Sequence, residues 1–145
     1  MAQLSCQFVR PDKLIYNGYV ASLILATQDG ELGVWPGHAS AIVSLGDGIV
    51  RLHHLEDDGG ETDKVVVSGG YAEINPNGVI ILASHARLVD DIERDVVLET
   101  RQEAFDKLNE IDEKDNRRAY YQKKVAWCNM LLREEQRARE EEGVR

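Results

Sequence analysis

The chain has 145 residues, of which 43% are hydrophobic and 30% charged, and its formal net charge is −9. That composition is globular, and the acidic balance argues against nucleic acid as a partner, because phosphate binding needs a basic footprint. From Met1 the chain runs straight into an alternating segment, without a cationic start and a long apolar run. Neither a secretory signal nor a membrane span is therefore expected, and any membrane association has to come through a partner protein.

The length suits one ordinary core, or a compact domain of about 90 residues with an appendage. Charge favours the second: residues 1 to 89 carry ten acidic and five basic side chains, whereas the shorter piece from 90 to 145 carries 16 and 12. Cys6 and Cys128 lie in different regions and read as small buried apolar residues, not as a disulfide framework.

From Leu4 to Ala86 short apolar runs of period two alternate with turn chemistry, the pattern of an antiparallel sandwich. The expected strands are Leu4 to Val9, Lys13 to Thr27, Ser40 to Ser44, Gly48 to Leu55, Lys64 to Ser68, Tyr71 to Asn75 and Gly78 to Ala86. Gly69-Gly70 reads as a hairpin turn. A phosphate loop would need a helix N-terminus next, and another strand pattern follows instead. Glu56 to Asp63 reads as a solvated loop tip whose carboxylates and glycines discourage fixed structure. At Asp90-Asp91 the period changes to helical. The two aspartates are expected to cap a first helix, with Val97, Ala104, Leu108 and Ile111 on one face and Ile92, Val96 and Phe105 flanking it. After a polar break at Asp112 to Asn116, a second helix is expected to pack through Ala119, Tyr120, Ala126, Trp127, Met130 and Leu131, with Lys123 in the middle of that face. The fold class is thus α+β: a β-sandwich over residues 1–88, then an antiparallel helical hairpin over 89–145, with helices at about 91–111 and 117–142.

One stretch stands out. Gly30-Glu31-Leu32-Gly33-Val34-Trp35-Pro36-Gly37-His38-Ala39-Ser40 places three glycines and a proline within eight residues. It reads as a stiff loop that offers a carboxylate, a large aromatic and an imidazole. Glu31 and His38 are expected to be exposed, and Trp35 to be either a packing residue or an interface anchor. As an acid and base pair Glu31 and His38 lack a nucleophile tied to them, and His53 and His54 point to opposite faces of a strand, so neither a catalytic nor a metal centre is expected.

That loop is similar to the corresponding one in the epsilon subunit of the F-type ATP synthase, the small rotor subunit of the central stalk. Phe8-Val9-x-Pro11 with Tyr16, Leu45-x-x-Gly48-x-Val50-Arg51, Val67-Ser68-Gly69-Gly70-Tyr71-x-Glu73-Ile74 and Val79-Ile80-Ile81-Leu82-Ala83 recur in that family's order and spacing. The resemblance implies a non-catalytic subunit that couples the gamma shaft to the membrane c-ring and restrains ATP hydrolysis. Its implied partners are the gamma subunit, the c-ring and the alpha/beta catalytic head, at the cytoplasmic face of a bacterial plasma membrane or the stromal face of a plastid thylakoid. It makes Glu31, Trp35 and His38 candidate ring contacts, and Arg10, Ser44 and Ser68 candidate gamma contacts.

Some members of that family bind ATP through a motif reading Ile or Leu, Asp, two variable residues, Arg, Ala. Here Ile92 to Val97 carry Glu93 for the aspartate and Val96 and Val97 for the arginine and alanine, so no cofactor is expected, although Arg87, Arg94 or Arg101 could compensate. Arg117, Arg118, Lys123 and Lys124 crowd the start of the second helix against its dipole, with no acidic residue between Asn116 and Glu134. The resemblance assigns them to an acidic segment of the catalytic beta subunit. The alternative reading is a free-standing β-sandwich module that binds a small ligand and dimerises through its hairpin.

Overall fold

The computed structural model describes residues 2–143; Met1, Val144 and Arg145, which the sequence reading places at the ends of its two segments, lie outside them. The chain divides into two compact units, one ending at Leu88 and the other beginning at Val89.

The first unit is built from β1 (Leu4–Arg10), β2 (Lys13–Val20), β3 (Ser22–Thr27), β4 (Gly30–Val34), β5 (Ala41–Ser44), β6 (Asp47–His53), β7 (Thr62–Asn75) and β8 (Gly78–Leu88). The strands pair in the order β2-β1-β8-β7-β6-β3-β4, with β5 also on β7. The pairings are antiparallel except one: β1 and β8 run parallel, from Ser5 opposite Gly78 to Val9 opposite Leu82. A parallel pair needs a long crossover, and most of the sandwich lies between these two strands in the chain.

Other elements depart from the sequence reading. Lys13 to Thr27 breaks at Ala21, whose N–H donates to the His53 carbonyl at 2.8 Å. Gly30 to Val34 is strand β4, joined to β3 by the two-residue turn Gln28-Asp29, so Glu31 lies on a strand and only the segment after Val34 is loop. Glu56–Asp58 forms a 3-10 turn, and the Gly59 N–H closes it on the Glu56 carbonyl with Gly59 at φ 103°.

Gly69-Gly70 is no hairpin turn. Strand β7 continues through it, with Gly69 at φ 73° and Gly70 at φ 110°. Before the pair β7 lies against β6, and after it against β5. On its other side β8 follows on both sides of the bend, from Val65 opposite Leu88 to Asn75 opposite Gly78. Because β1 takes only the first part of β8, the two long strands bend together and serve both layers of the sandwich. The alternating residues Leu4, Cys6, Phe8, Leu23, Leu25, Val50, Leu52, Val65, Val67, Ala72, Ile74 and Ile81 fill the space between the layers. Burial pushes the Cys6 thiol up to about 12, so it is an inert core residue.

In the second unit Asp90 and Asp91 do not cap the first helix. They sit in a 3-10 turn, Val89–Asp91, anchored by buried Val89 and Ile92, and the Ile92 N–H donates to the Val89 carbonyl at 3.2 Å. Helix α1 (Arg94–Glu110) starts after Glu93, which makes no side-chain capping bond. Val97 and Ala104 are buried, Leu108 and Ile111 half-buried, and Val96 and Phe105 exposed.

Helix α2 (Arg118–Gly143) buries Cys128, Leu131 and Leu132 and half-buries Tyr121 and Val125. Of the expected face Leu131 is buried and Trp127 and Met130 are half-buried, whereas Ala119, Tyr120 and Ala126 face out, as does Lys123, so the packed stripe is rotated from the expected one. The spacing of 121, 125, 128 and 132, alternating four and three, sets this phase. Contacts that cross the hairpin run in antiparallel order: Arg94 to Glu135 at 3.2 Å, Arg101 to Asn129 Oδ1 at 2.9 Å, and Arg118 to the Leu108 main-chain carbonyl at 2.9 Å.

The β7 bend gives a paired expectation. A Cβ on Gly70 would lie 2.1 Å from the Leu82 carbonyl oxygen, whereas one on Gly37, also at positive φ, would meet nothing within 4 Å. Gly37→Ala should therefore cost about 1 kcal/mol of backbone strain, and Gly70→Ala at least about 3 kcal/mol or the fold itself. Urea denaturation of the two variants checks this.

Candidate functional site

The first part of the stretch that the sequence singles out, Gly30–Val34, forms β4. Alternation puts Glu31, Gly33 and Trp35 on its outer side, with Val34 buried beneath. Gly33 has a packing reason: a Cβ there would lie 2.4 Å from Cζ3 of Trp35, so the indole folds back over the bare backbone. Trp35 is still 59% exposed. The Glu31 carboxylate, 63% exposed, pairs with Arg51 of β6. Arg51 sits opposite Ile24, and Ile24 opposite Gly33, so the guanidinium reaches across β3 to meet Glu31.

His38 departs from expectation in being half-buried. Its Nδ1 lies 2.6 Å from the Ala39 carbonyl oxygen, and its main-chain N–H donates to the Trp35 carbonyl. The loop is held to the β7–β8 turn by the Gly37 N–H, 2.8 Å from the Pro76 carbonyl oxygen. Glu31 and His38 are thus each engaged elsewhere and make no acid–base pair. Among the described residues no group of three His, Cys, Asp or Glu could hold a metal ion. No helix among them is long and apolar enough to cross a membrane.

The opposite layer, β2-β1-β8-β7-β5, presents a different surface. Ser44 lies opposite Tyr71, Tyr71 opposite Leu82, Leu82 opposite Val9, and Val9 opposite Leu14. One row over, Ile42 lies opposite Glu73 and Glu73 opposite Ile80. Ile42 is 74% exposed, with Leu14, Tyr71 and Ile80 also open. Exposed apolar side chains thus stand on β2, β5, β7 and β8, with half-buried Val9 and Leu82 between Tyr71 and Leu14, and give this layer an apolar outer face. A groove of about 520 Å³ opens there, lined by Val9, Arg10, Tyr71 and Leu82 among others.

Arg10 and Ser44 of the gamma candidates therefore adjoin this face. The Arg10 guanidinium donates to the Ala86 carbonyl at 2.8 Å, and its Nε lies 3.1 Å from Asp12 without a hydrogen-bonding angle. Ser68 lies beyond the β7 bend and donates to Asp47 at 2.6 Å, so it is not gathered with the other two. Sequence reasoning missed the apolar face and Arg51. A signal for the first was present: Val79 to Ala83 is apolar without alternation, as a strand covered on both sides would be.

The basic cluster of α2 is less free than the sequence implies. Asp115, just upstream, accepts from the Arg117 N–H at 2.8 Å and from its guanidinium at 2.8 and 3.1 Å. It therefore supplies a negative group at the helix N-terminus. Arg118 is spent on the Leu108 carbonyl, and Lys124 lies 5.8 Å over the Tyr120 ring. Lys123 is exposed and has no partner among the described residues. Of the cations that could replace the missing nucleotide arginine, Arg94 pairs with Glu135, and Arg101 bonds Asn129 and lies over Phe105.

A family model described as the ATP synthase delta/epsilon chain beta-sandwich domain matches residues 3–89. The chain belongs to the ATP synthase delta/epsilon family. The ATP synthase epsilon chain of Granulibacter bethesdensis is 42% identical over 92 residues, covering 63% of this chain and 66% of that one, just under two thirds. The epsilon chain of Bacillus pumilus is 36% identical over 119 residues, covering 82% and 88%. Among solved structures, a chain of the Euglena gracilis mitochondrial ATP synthase (OSCP, F1 and c-ring) matches with a TM-score of 0.60 at 26% identity, over 91% of this chain and 76% of that one. A chain of the Tetrahymena thermophila mitochondrial central stalk and c-ring shares the fold, at a TM-score of 0.53 and 15% identity. The recurring strings from Phe8 to Ala83 thus reflect membership of this family.

Asp115 provides a pH expectation. Hydrogen bonds from Arg117 hold its carboxyl at about 2, below the ordinary 3.8. The folded value is depressed, so the stabilisation is complete above about pH 4 and is lost as pH falls towards 2. The Asp115 carboxyl carbon should titrate near 2 by NMR, with the Arg117 amide following it. Arg117→Ala should return the midpoint towards 4.

Proposed function

We propose that this chain is a non-catalytic rotor subunit of a proton-translocating ATP synthase. It couples the gamma shaft to the membrane c-ring, and its helices restrain ATP hydrolysis by the alpha/beta head. The observation that carries this reading is the presence of two unlike outward faces on one close-packed sandwich. A coupling element has to grip two partners through one rigid body, because any give between the grips would let the shaft turn without the ring. The broad apolar face around Ile42, Tyr71 and Ile80 suits a permanent partner, since obligate interfaces resemble a core cut in half. Arg10 and Ser44 border it and are assigned to gamma; Ser68 is the weaker member of that set. The compact face bearing Glu31 and Trp35, with His38 on the adjoining loop, is assigned to the ring.

In this reading the chain associates with the membrane through the complex and stands at its cytoplasmic face. The restraint on hydrolysis falls to the cations at the start of α2. Lys123 and Lys124 carry most of it, because Arg117 is held by the Asp115 carboxylate and Arg118 by the Leu108 carbonyl.

Two measurements test the proposal. The tagged chain should bring the catalytic head with it from a native membrane extract; if it comes away alone, the ligand-module alternative takes over. Changing Arg117, Arg118, Lys123 and Lys124 to alanine should relieve inhibition of hydrolysis, and Lys123→Ala with Lys124→Ala should reproduce most of the effect. Inhibition by the unaltered chain should fade with rising salt as exposed pairs are screened. Undiminished inhibition by the quadruple variant, its helix content verified by circular dichroism, would refute the charge mechanism.

A further inference from the structure

The Glu31–Arg51 pair is placed where the fold has little use for it. Glu31 is exposed (63%) and Arg51 half-buried (34%), and an ion pair with so exposed a carboxylate adds little to stability. The pair is nevertheless elaborately arranged. Arg51 must span a whole strand, about 10 Å between β6 and β4, to reach the carboxylate. The row it crosses has a bare position at Gly33, directly opposite Ile24. The Trp35 indole lies over that glycine. Only Glu31 Oε2 is used; Oε1 has no partner among the described residues.

We propose that Arg51 is a positioning residue for the ring-facing surface. It holds the Glu31 carboxylate beside the exposed Trp35 ring so that Oε1 presents a fixed acceptor to a hydrogen-bond donor of the partner. The inference rests on the assignment of that face to the c-ring and deepens it. A free glutamate on a strand samples several rotamers and gives up that freedom on binding; one already held by a guanidinium gives up less. The pair also neutralises the carboxylate, so the partner group that suits it is a single directional donor, an amide or one N–H of a cation, and not a field of positive charge. Alongside it, the indole offers a flat apolar rest for the stem of the same partner side chain.

The test uses the assembled synthase in inverted vesicles, with ATP-driven proton pumping measured against ATP hydrolysis. Glu31→Ala and Arg51→Ala should each lower the pumping-to-hydrolysis ratio by about two- to five-fold, and the double variant should be no worse than the worse single one, as for two groups acting as a unit. Arg51→Lys should recover at least half of the loss. The melting temperature of the isolated chain should move by less than about 2 °C in each case. The inference is overturned if Arg51→Ala leaves the ratio unchanged while Glu31→Ala lowers it, or if the two effects multiply. A loss that merely tracks unfolding of the Arg51→Ala and Arg51→Lys chains makes Arg51 structural and likewise overturns it. If neither Glu31→Ala nor Arg51→Ala alters the ratio, the assignment of this face to the ring falls as well.

Discussion

The bend of β7 at Gly69-Gly70, against the backbone of Leu82 and Ala83, is the constraint on which the sandwich depends. Two consecutive residues at positive φ turn the strand without ending it, and the absence of a side chain at Gly70 lets β8 approach to a distance at which a Cβ there would collide with the Leu82 carbonyl. Because the two strands bend in step, their ladder is kept from Val65–Leu88 to Asn75–Gly78. Backbone groups that would be orphaned at a sheet corner stay paired. Leu45 donates to the Gly70 carbonyl and Gly46 to that of Ala26, which closes the same corner from the β5–β6 side.

That one corner also produces the division of surfaces. Residues after the bend, Tyr71 and Glu73, point out on the layer shared with β1, β2 and β5, and there the apolar strip forms. Residues before it belong to the layer with β6, β3 and β4, which carries Arg51, Glu31 and Trp35. A sandwich whose layers share strands in this way is stiff between its two faces, since sliding them apart would break the β7–β8 ladder. The proposed coupling of one partner to another through the two faces asks for that property.

The helical unit is held differently. Its buried apolar set is small, Val97, Ala104, Cys128, Leu131 and Leu132, together with Val89 and Ile92 at its entry. The three cross-hairpin contacts of Arg94, Arg101 and Arg118 end on a carboxylate, an amide and a main-chain carbonyl. Glu134, although buried, meets Arg137 at 2.7 Å, and Glu135 is shared between Arg94 and Arg139. A hairpin closed by so few apolar groups and so many polar ones is one in which water and salt compete effectively for the contacts.

Period and punctuation alone determine much of this protein: a strand-rich first part, a change to helical period near Asp90, and a family likeness written in strings that stay collinear from Phe8 to Ala83. These are local properties, and alternation or turn chemistry reports them directly. Glu31, Trp35 and the basic start of α2 could be singled out for the same reason, since residue type and spacing suffice. What the tertiary structure alone decided involves partners far apart in the chain. Gly69-Gly70 looks like a turn locally, and becomes a bend only because β8 lies beside it throughout. Arg51 meets Glu31 across a third strand, and the apolar strip gathers residues from Val9 to Leu82. The phase of α2 and the engagement of Arg117 and Arg118 depend on where α1 ends and how Asp115 turns back. Register and long-range pairing are collective, each fixed by burial of the whole face, so no window along the chain contains them.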